Sequence, residues 1–191
     1  DNKVGIIWHT QGSGKSLSMV FLIKKTIELN PLTTFLIVTD RKELDDQIAN
    51  TISKSSDFLG QYPHQFDSIN DLRKTLNNHK QNGIFETTIQ KFDNSIELLS
   101  DRKDILVIAD EAHRSHNSND EIEIRINEDG SKIIAENKEG NAKRLRKALP
   151  NAKFIGFTGT PIENNSRSTQ EVFGKYISKY LMNDAINDGT I

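Results

Sequence analysis

The sequence predicts an α/β domain built on a mainly parallel sheet with helices on both faces. Two observations carry that expectation. Short apolar runs (VGIIW at 4–8, FLIV at 35–38, IFETT at 84–88, ILVIA at 105–109 and FIGF at 154–157) are separated by stretches with helical spacing. Strands that alternate with helices imply right-handed crossovers and a parallel sheet covered on both sides. In addition, three of the runs lead into polar clusters, at 12–16, 110–113 and 158–160. In such sheets ligands bind beyond the carboxyl ends of the strands.

Taken in order, the run at 4–8 enters a glycine-rich loop and then a helix over 15–29, whose expected apolar side is Leu17, Val20, Phe21, Ile23, Lys24 and Ile27. Asn30-Pro31 ends it, because proline has no amide hydrogen and clashes with the preceding turn. After the second strand, 41–53 reads as a helix with Leu44, Ile48 and Ile52 at i, i+4 and i+8. The stretch 56–66 carries only weak signals and reads as a loop. Ser68 caps a helix through Asn78, with Asp71 three residues on and Leu72 and Leu76 facing inward. Two strands follow, at 84–88 and 105–109.

Beyond His116 the pattern changes. Residues 117–140 hold seven acidic and three basic side chains, and Ile122, Ile124 and Ile126 alternate with charged residues. With the turn signal Glu128-Asp129-Gly130, this predicts a β-hairpin inserted between two units of the main sheet. Residues 143–149 then form a short basic helix with Leu145 and Leu149 on its buried side, and a strand at 154–157 ends in Thr158-Gly159-Thr160-Pro161. Trp8 is read as a packing residue.

The bulk composition is restrictive. A chain of 191 residues suits one domain. With 27 acidic and 25 basic residues the net charge is −2, so any nucleic-acid contact must come from local placement. There is no cysteine, which removes disulfides and thiolate metal sites and fits a cytoplasmic protein. No run of 18 apolar residues or signal peptide is present, so no membrane partner is expected. The start at Asp1, just ahead of a strand, suggests a piece of a longer protein.

Each polar cluster suits a separate chemical task. Gly12, Ser13, Gly14, Lys15 and Ser16 (GSGKS) fit the end of the phosphate-binding pattern G-x-x-x-x-G-K-[ST], although His9 stands where the first glycine belongs. Glycine lets the backbone approach an anion, and successive amides with the helix dipole favour phosphate there. Lys15 would neutralise β- and γ-phosphate oxygens, and the Ser16 hydroxyl would coordinate Mg²⁺. His9 is a residue type enriched at positive φ, which would let it replace the glycine. In the second cluster Asp110 is placed to hold the metal through its water shell. Glu111 could orient or deprotonate an attacking water. A zinc site on His113 and His116 lacks further ligands, and Glu136-Asn137-Lys138 matches a nuclease core only in common residue types.

GSGKS, DEAH and TGTP, in this order and spacing, resemble the first motor domain of superfamily 2 helicases and translocases. The stretches WHTQGSGKSLSM at 8–19, VTDRKELDDQI at 38–48, TTIQKF at 87–92, ADEAHRS at 109–115 and FIGFTGTPI at 154–162 are closer still to the motor (R) subunit of type I restriction enzymes. The likeness runs to AINDG at 185–189 and so spans nearly the whole chain. It implies a RecA-like P-loop fold over 1–191, ATP with Mg²⁺ as cofactors, and translocation along double-stranded DNA. It also implies that Asp40, Arg41, Thr87, Thr88 and Gln90 contact DNA, and that Thr158, Thr160 and His113 couple nucleotide state to movement. The implied partners are DNA, a second RecA-like domain, and the modification and specificity subunits. The nuclease, the adenine-binding segment and the arginine finger are expected outside these residues. Another superfamily 2 motor (a type III restriction subunit or an RNA helicase) or a P-loop module that only binds is the competing reading.

Overall fold

In the computed structural model, residues 2–39, 42–66, 68–78, 81–92, 98–112, 124–126, 132–134, 141–159 and 166–189 are described. The chain runs β1 (Lys3–His9), α1 (Lys15–Leu29), β2 (Thr34–Thr39), α2 (Lys42–Lys54), α3 (Ser56–Leu59), β3 (Pro63–Gln65), α4 (Ile69–Asn78), β4 (Gly83–Thr88), β5 (Ile105–Ala109), β6 (Ile124–Ile126), β7 (Lys132–Ile134), α5 (Asn141–Ala148), β8 (Lys153–Thr158), α6 (Ser166–Phe173), β9 (Tyr176–Tyr180) and α7 (Met182–Asn187). Seven strands pair in parallel in the order β3-β4-β2-β5-β8-β1-β9.

The apolar runs form the middle of the sheet because both faces are covered. In β2, Phe35 and Ile37 pack with Met19, Val20 and Ile23 of α1 and with Ile48 and Ile52 of α2. The intervening Leu36 and Val38 pack on the other side with Leu72 and Leu76 of α4 and Leu145 of α5. That two-residue alternation between two cores is what a strand buried on both faces requires. Gly156 of β8 permits the closest packing: a Cβ there would lie 2.8 Å from Ala112 Cβ and 3.1 Å from Phe173 Cγ. At the foot of the sheet Arg102 donates to Asp104, to Thr34 Oγ1 and to the Leu76 carbonyl, tying β2, α4 and the entry to β5 together.

Several expectations change. The limits of α1 are those expected, but Leu17 and Phe21 are 55% and 58% exposed. At about 100° per residue they lie roughly 120–160° around the helix from Met19 and Ile23, with Val20 at the border between the two sides. Phe21 instead meets Phe58 of α3 edge to face, with ring centroids 6.0 Å apart. The expected loop over 56–66 holds α3 and β3. Gly60, at φ 74°, closes α3 by donating its amide to the Ser56 carbonyl. Pro63 begins β3, which lies at the edge of the sheet, the place where a strand tolerates proline. α6, β9 and α7 lie beyond every element the pattern predicted.

β6 and β7 pair antiparallel, with Arg125 opposite Ile133, in a sheet of their own between β5 and α5 in the chain. This matches the expected hairpin, whose limits at 117 and 140 lie outside the described residues. In α5 Leu145 is buried, and Arg146 donates to the Val172 carbonyl (2.6 Å) with its guanidinium 4.9 Å over the Phe154 ring. Among the described residues no helix is long and apolar enough to cross a membrane.

Candidate functional site

Because the seven strands are parallel, the segments that leave their carboxyl ends share one edge of the sheet. β8 lies between β5 and β1, so Thr158 and Gly159 come between the acidic pair and the glycine loop.

The loop begins at His9, the last residue of β1, and ends at Gly14, the residue that precedes α1. Gly12 (φ 84°) and Gly14 (φ 83°) both take left-handed backbone, which L side chains adopt only with strain. A Cβ at Gly14 would meet no atom within 4 Å. The space above the helix is therefore open to a ligand. The first turn of α1 carries no acidic residue and Gly14 provides no side-chain cap, which leaves amides and a positive dipole end facing that space. Ser13 turns inward, its hydroxyl donating to the Thr10 carbonyl at 2.6 Å. Lys15 Nζ lies 3.4 Å from the His9 carbonyl, and a Cβ on Gly159 would come within 2.9 Å of it. The lysine ammonium thus sits where the loop meets the end of β8. Ser16 is partly buried in the first turn of α1.

His9 is a correction. Its backbone is extended within β1, and the non-glycine residues at positive φ among those described are Asn82 and Glu111. Its ring turns to β9, where Nε2 lies 2.8 Å from Ser178 Oγ and the imidazole stands edge-on to Tyr180. Burial, and then the charge of Lys15, hold its pKa below the ordinary histidine value. Trp8 packs on Tyr176 at 5.7 Å, with Lys179 Nζ 5.6 Å from its ring centroid.

The acidic pair is held from both sides. The Asp110 amide donates to the Val38 carbonyl of β2 and the Ala112 amide to the Phe157 carbonyl of β8, each at 2.9 Å. Between those anchors Glu111 is forced to φ 46°, a conformation costly for a residue with a Cβ and often kept where function demands it. Asp110 is 8% exposed. Thr158, the end of β8, is buried.

The structure therefore brings together Gly12, Ser13, Gly14, Lys15 and Ser16 with Thr158 along the edge that also carries Asp110 and Glu111. Thr87 and Thr88 end β4, two strands away from β5, and both are buried, while Gln90 is exposed in the 3-10 turn that follows. Asp40, Arg41, His113 and Thr160 lie outside the described residues. Sequence reasoning missed Gly159 as the close neighbour of Lys15, and Ser178 and Tyr180 as partners of His9. The alternation in Tyr176-Ile177-Ser178-Lys179-Tyr180 was the available signal for the strand that holds the last two.

A glycine loop with a lysine at a helix start, and paired carboxylates on the same carboxyl edge of an all-parallel sheet, define a P-loop domain of the RecA-like class. More narrowly, residues 1–191 match the SWI2/SNF2 ATPase family, and the chain belongs to it. It is similar to the type I restriction enzyme HindI endonuclease subunit of Haemophilus influenzae, 42% identical over 204 residues, covering 99% of this chain and 18% of that protein. It is also similar to the type I restriction enzyme SsaAORF53P endonuclease subunit of Staphylococcus saprophyticus, 30% identical, covering 98% of this chain and 19% of that one. The chain thus spans under a fifth of the length of these relatives. Its fold resembles the Sulfolobus solfataricus SWI2/SNF2 ATPase core solved in complex with double-stranded DNA, at TM-score 0.58 and 18% identity, covering 90% of this chain and 31% of the other.

Proposed function

We propose that this domain is the first RecA-like motor domain of an ATP-dependent translocase on double-stranded DNA, within the R subunit of a type I restriction enzyme. The observation that carries the reading is the meeting of Lys15 and Gly159. The phosphate-loop lysine lies against the end of the strand between the loop and the acidic pair, so one bound nucleotide could touch all three. In this reading Gly12, Ser13 and Gly14 offer amides to the phosphates and Lys15 neutralises their β and γ oxygens. Ser16 and Asp110 hold Mg²⁺, and Glu111 orients the attacking water. Bound Mg²⁺ would supply positive charge that offsets the charge developing on the phosphate in the transition state.

Thr158, with Thr160 and His113, would relay nucleotide state to DNA. Asp40, Arg41, Thr87, Thr88 and Gln90 would make up the DNA-facing segments, which position the duplex through its phosphates and sugars without reading its sequence. Of the described three, exposed Gln90 would touch the duplex directly. Thr87 and Thr88, both buried, would act by fixing the turn that presents it. The second RecA-like domain and the modification and specificity subunits are the expected partners, in the cytoplasm.

The test is stimulation of ATP hydrolysis by nucleic acid in the intact subunit. Duplex DNA raising the rate, with RNA of equal length inert, supports the proposal. Stimulation by RNA alone, or none by either, overturns it.

A further inference from the structure

His9 stands where the phosphate-loop pattern has glycine, and its side chain is engaged. Nε2 lies 2.8 Å from the hydroxyl of Ser178, which is 169 positions along the chain. The next residue is tied to the same segment. The Thr10 amide donates to the Tyr180 carbonyl at 2.9 Å, and its hydroxyl lies 4.0 Å from Met182 Sδ. Within the loop, the Ser13 amide and hydroxyl both donate to the Thr10 carbonyl, and Lys15 Nζ points to the His9 carbonyl. The loop therefore leans on two carbonyls whose positions are set from β9.

We propose that His9 and Ser178 are positioning residues for nucleotide binding. Their contact pins the end of β1 to β9 and so fixes the carbonyls of His9 and Thr10, against which Lys15 and Ser13 are set. Glycine at position 9 would leave this junction to the main-chain pairing of β1 with β9 and to Thr10, with no side-chain tie from position 9. Burial and then the neighbouring Lys15 charge hold the imidazole pKa below its ordinary value, and a serine hydroxyl, able to donate or accept, complements either tautomer of the neutral ring.

The proposal rests on the nucleotide-binding reading above, and its test separates the two. In the intact subunit, Mg²⁺-ATP affinity and the KM and kcat of hydrolysis are measured for His9→Ala, Ser178→Ala, the double variant, His9→Gln and Lys15→Ala. Losing one ordinary hydrogen bond corresponds to about a two- to tenfold effect. His9→Ala and Ser178→Ala should each raise Kd and KM by that factor with kcat nearly kept. The double variant should be no worse than either single one, and His9→Gln, whose amide can reach the place of Nε2, should restore affinity. A contact serving only the fold would lower the unfolding midpoint and leave Kd alone. Unchanged Kd in His9→Ala and Ser178→Ala, beside a loss in Lys15→Ala, overturns the positioning role alone. So does His9→Gln as defective as His9→Ala. Unchanged affinity in Lys15→Ala overturns the nucleotide reading as well.

Discussion

Glu111 offers a direct test of how the acidic pair is held. Its neighbours' amides are fixed to the carbonyls of Val38 and Phe157, and the residue between them sits at φ 46°. Left-handed backbone costs a residue with a Cβ about 1–2 kcal/mol, and glycine almost nothing. Glycine loses about 0.5–1 kcal/mol more chain entropy on folding than alanine, which offsets part of the relief. Glu111→Gly should therefore be more stable than Glu111→Ala by about 0.75 kcal/mol, the middle of a span of roughly 0–1.5 kcal/mol and the reverse of the usual order. For a chain of this size that is a difference of roughly 1–4 °C in Tm. Urea unfolding of the 191-residue chain measures it, and both variants should lose ATP hydrolysis in the intact subunit. If the alanine variant is the more stable, Glu111 is not held in left-handed backbone and the argument fails.

Gly156→Ala should cost about 1–3 kcal/mol by overpacking, because the new Cβ would lie 2.8 Å from Ala112 Cβ; adding Ala112→Gly should recover part of that loss in the same unfolding assay. The pKa of His9 is lowered from 6.5 by burial and by Lys15, so the unfolded chain binds the proton more readily. Stability should hold above that value and fall as pH drops from 6.5 towards the folded pKa. His9→Gln should flatten this part of a Tm-against-pH curve. Arg102 beside Asp104 holds that carboxyl below its ordinary value of 3.8, chiefly through their hydrogen bond. Its contribution is therefore present above 3.8 and lost as pH falls through the folded pKa, and Arg102→Met should remove that acid limb. The resemblance implies that the arginine finger, worth roughly 10³–10⁵ in rate, is supplied from outside these residues, so the 191-residue chain alone should turn over ATP hardly at all, which a phosphate-release assay would show.

The elements legible beforehand were those with a strong local period. α1 runs over the expected 15–29 because a glycine start and an Asn-Pro stop bracket it. β2 was legible because a strand buried on both faces is a continuous apolar run. The side of α1 that faces the core was not legible, since Leu17 and Phe21 are as apolar as Val20 and Ile23 and only the sheet decides between them. β3 and β9 are edge strands with partly exposed residues, so neither makes an apolar run. At the site, the glycines and the lysine announced themselves by type and spacing. Strain was expected at His9 and stands instead at Glu111, because it arises from the anchoring of residues 110 and 112 by two other strands. The His9–Ser178 contact joins residues 169 positions apart, and no local pattern encodes such a distance.

The central claim is that Lys15 draws the work of the motor from bound nucleotide. The measurement that meets it most directly is ATP-dependent translocation on duplex DNA by the intact subunit carrying Lys15→Ala, with DNA affinity measured in parallel. Translocation should be abolished while DNA binding survives. Translocation that persists, or DNA binding lost together with it, would contradict the role assigned to this loop.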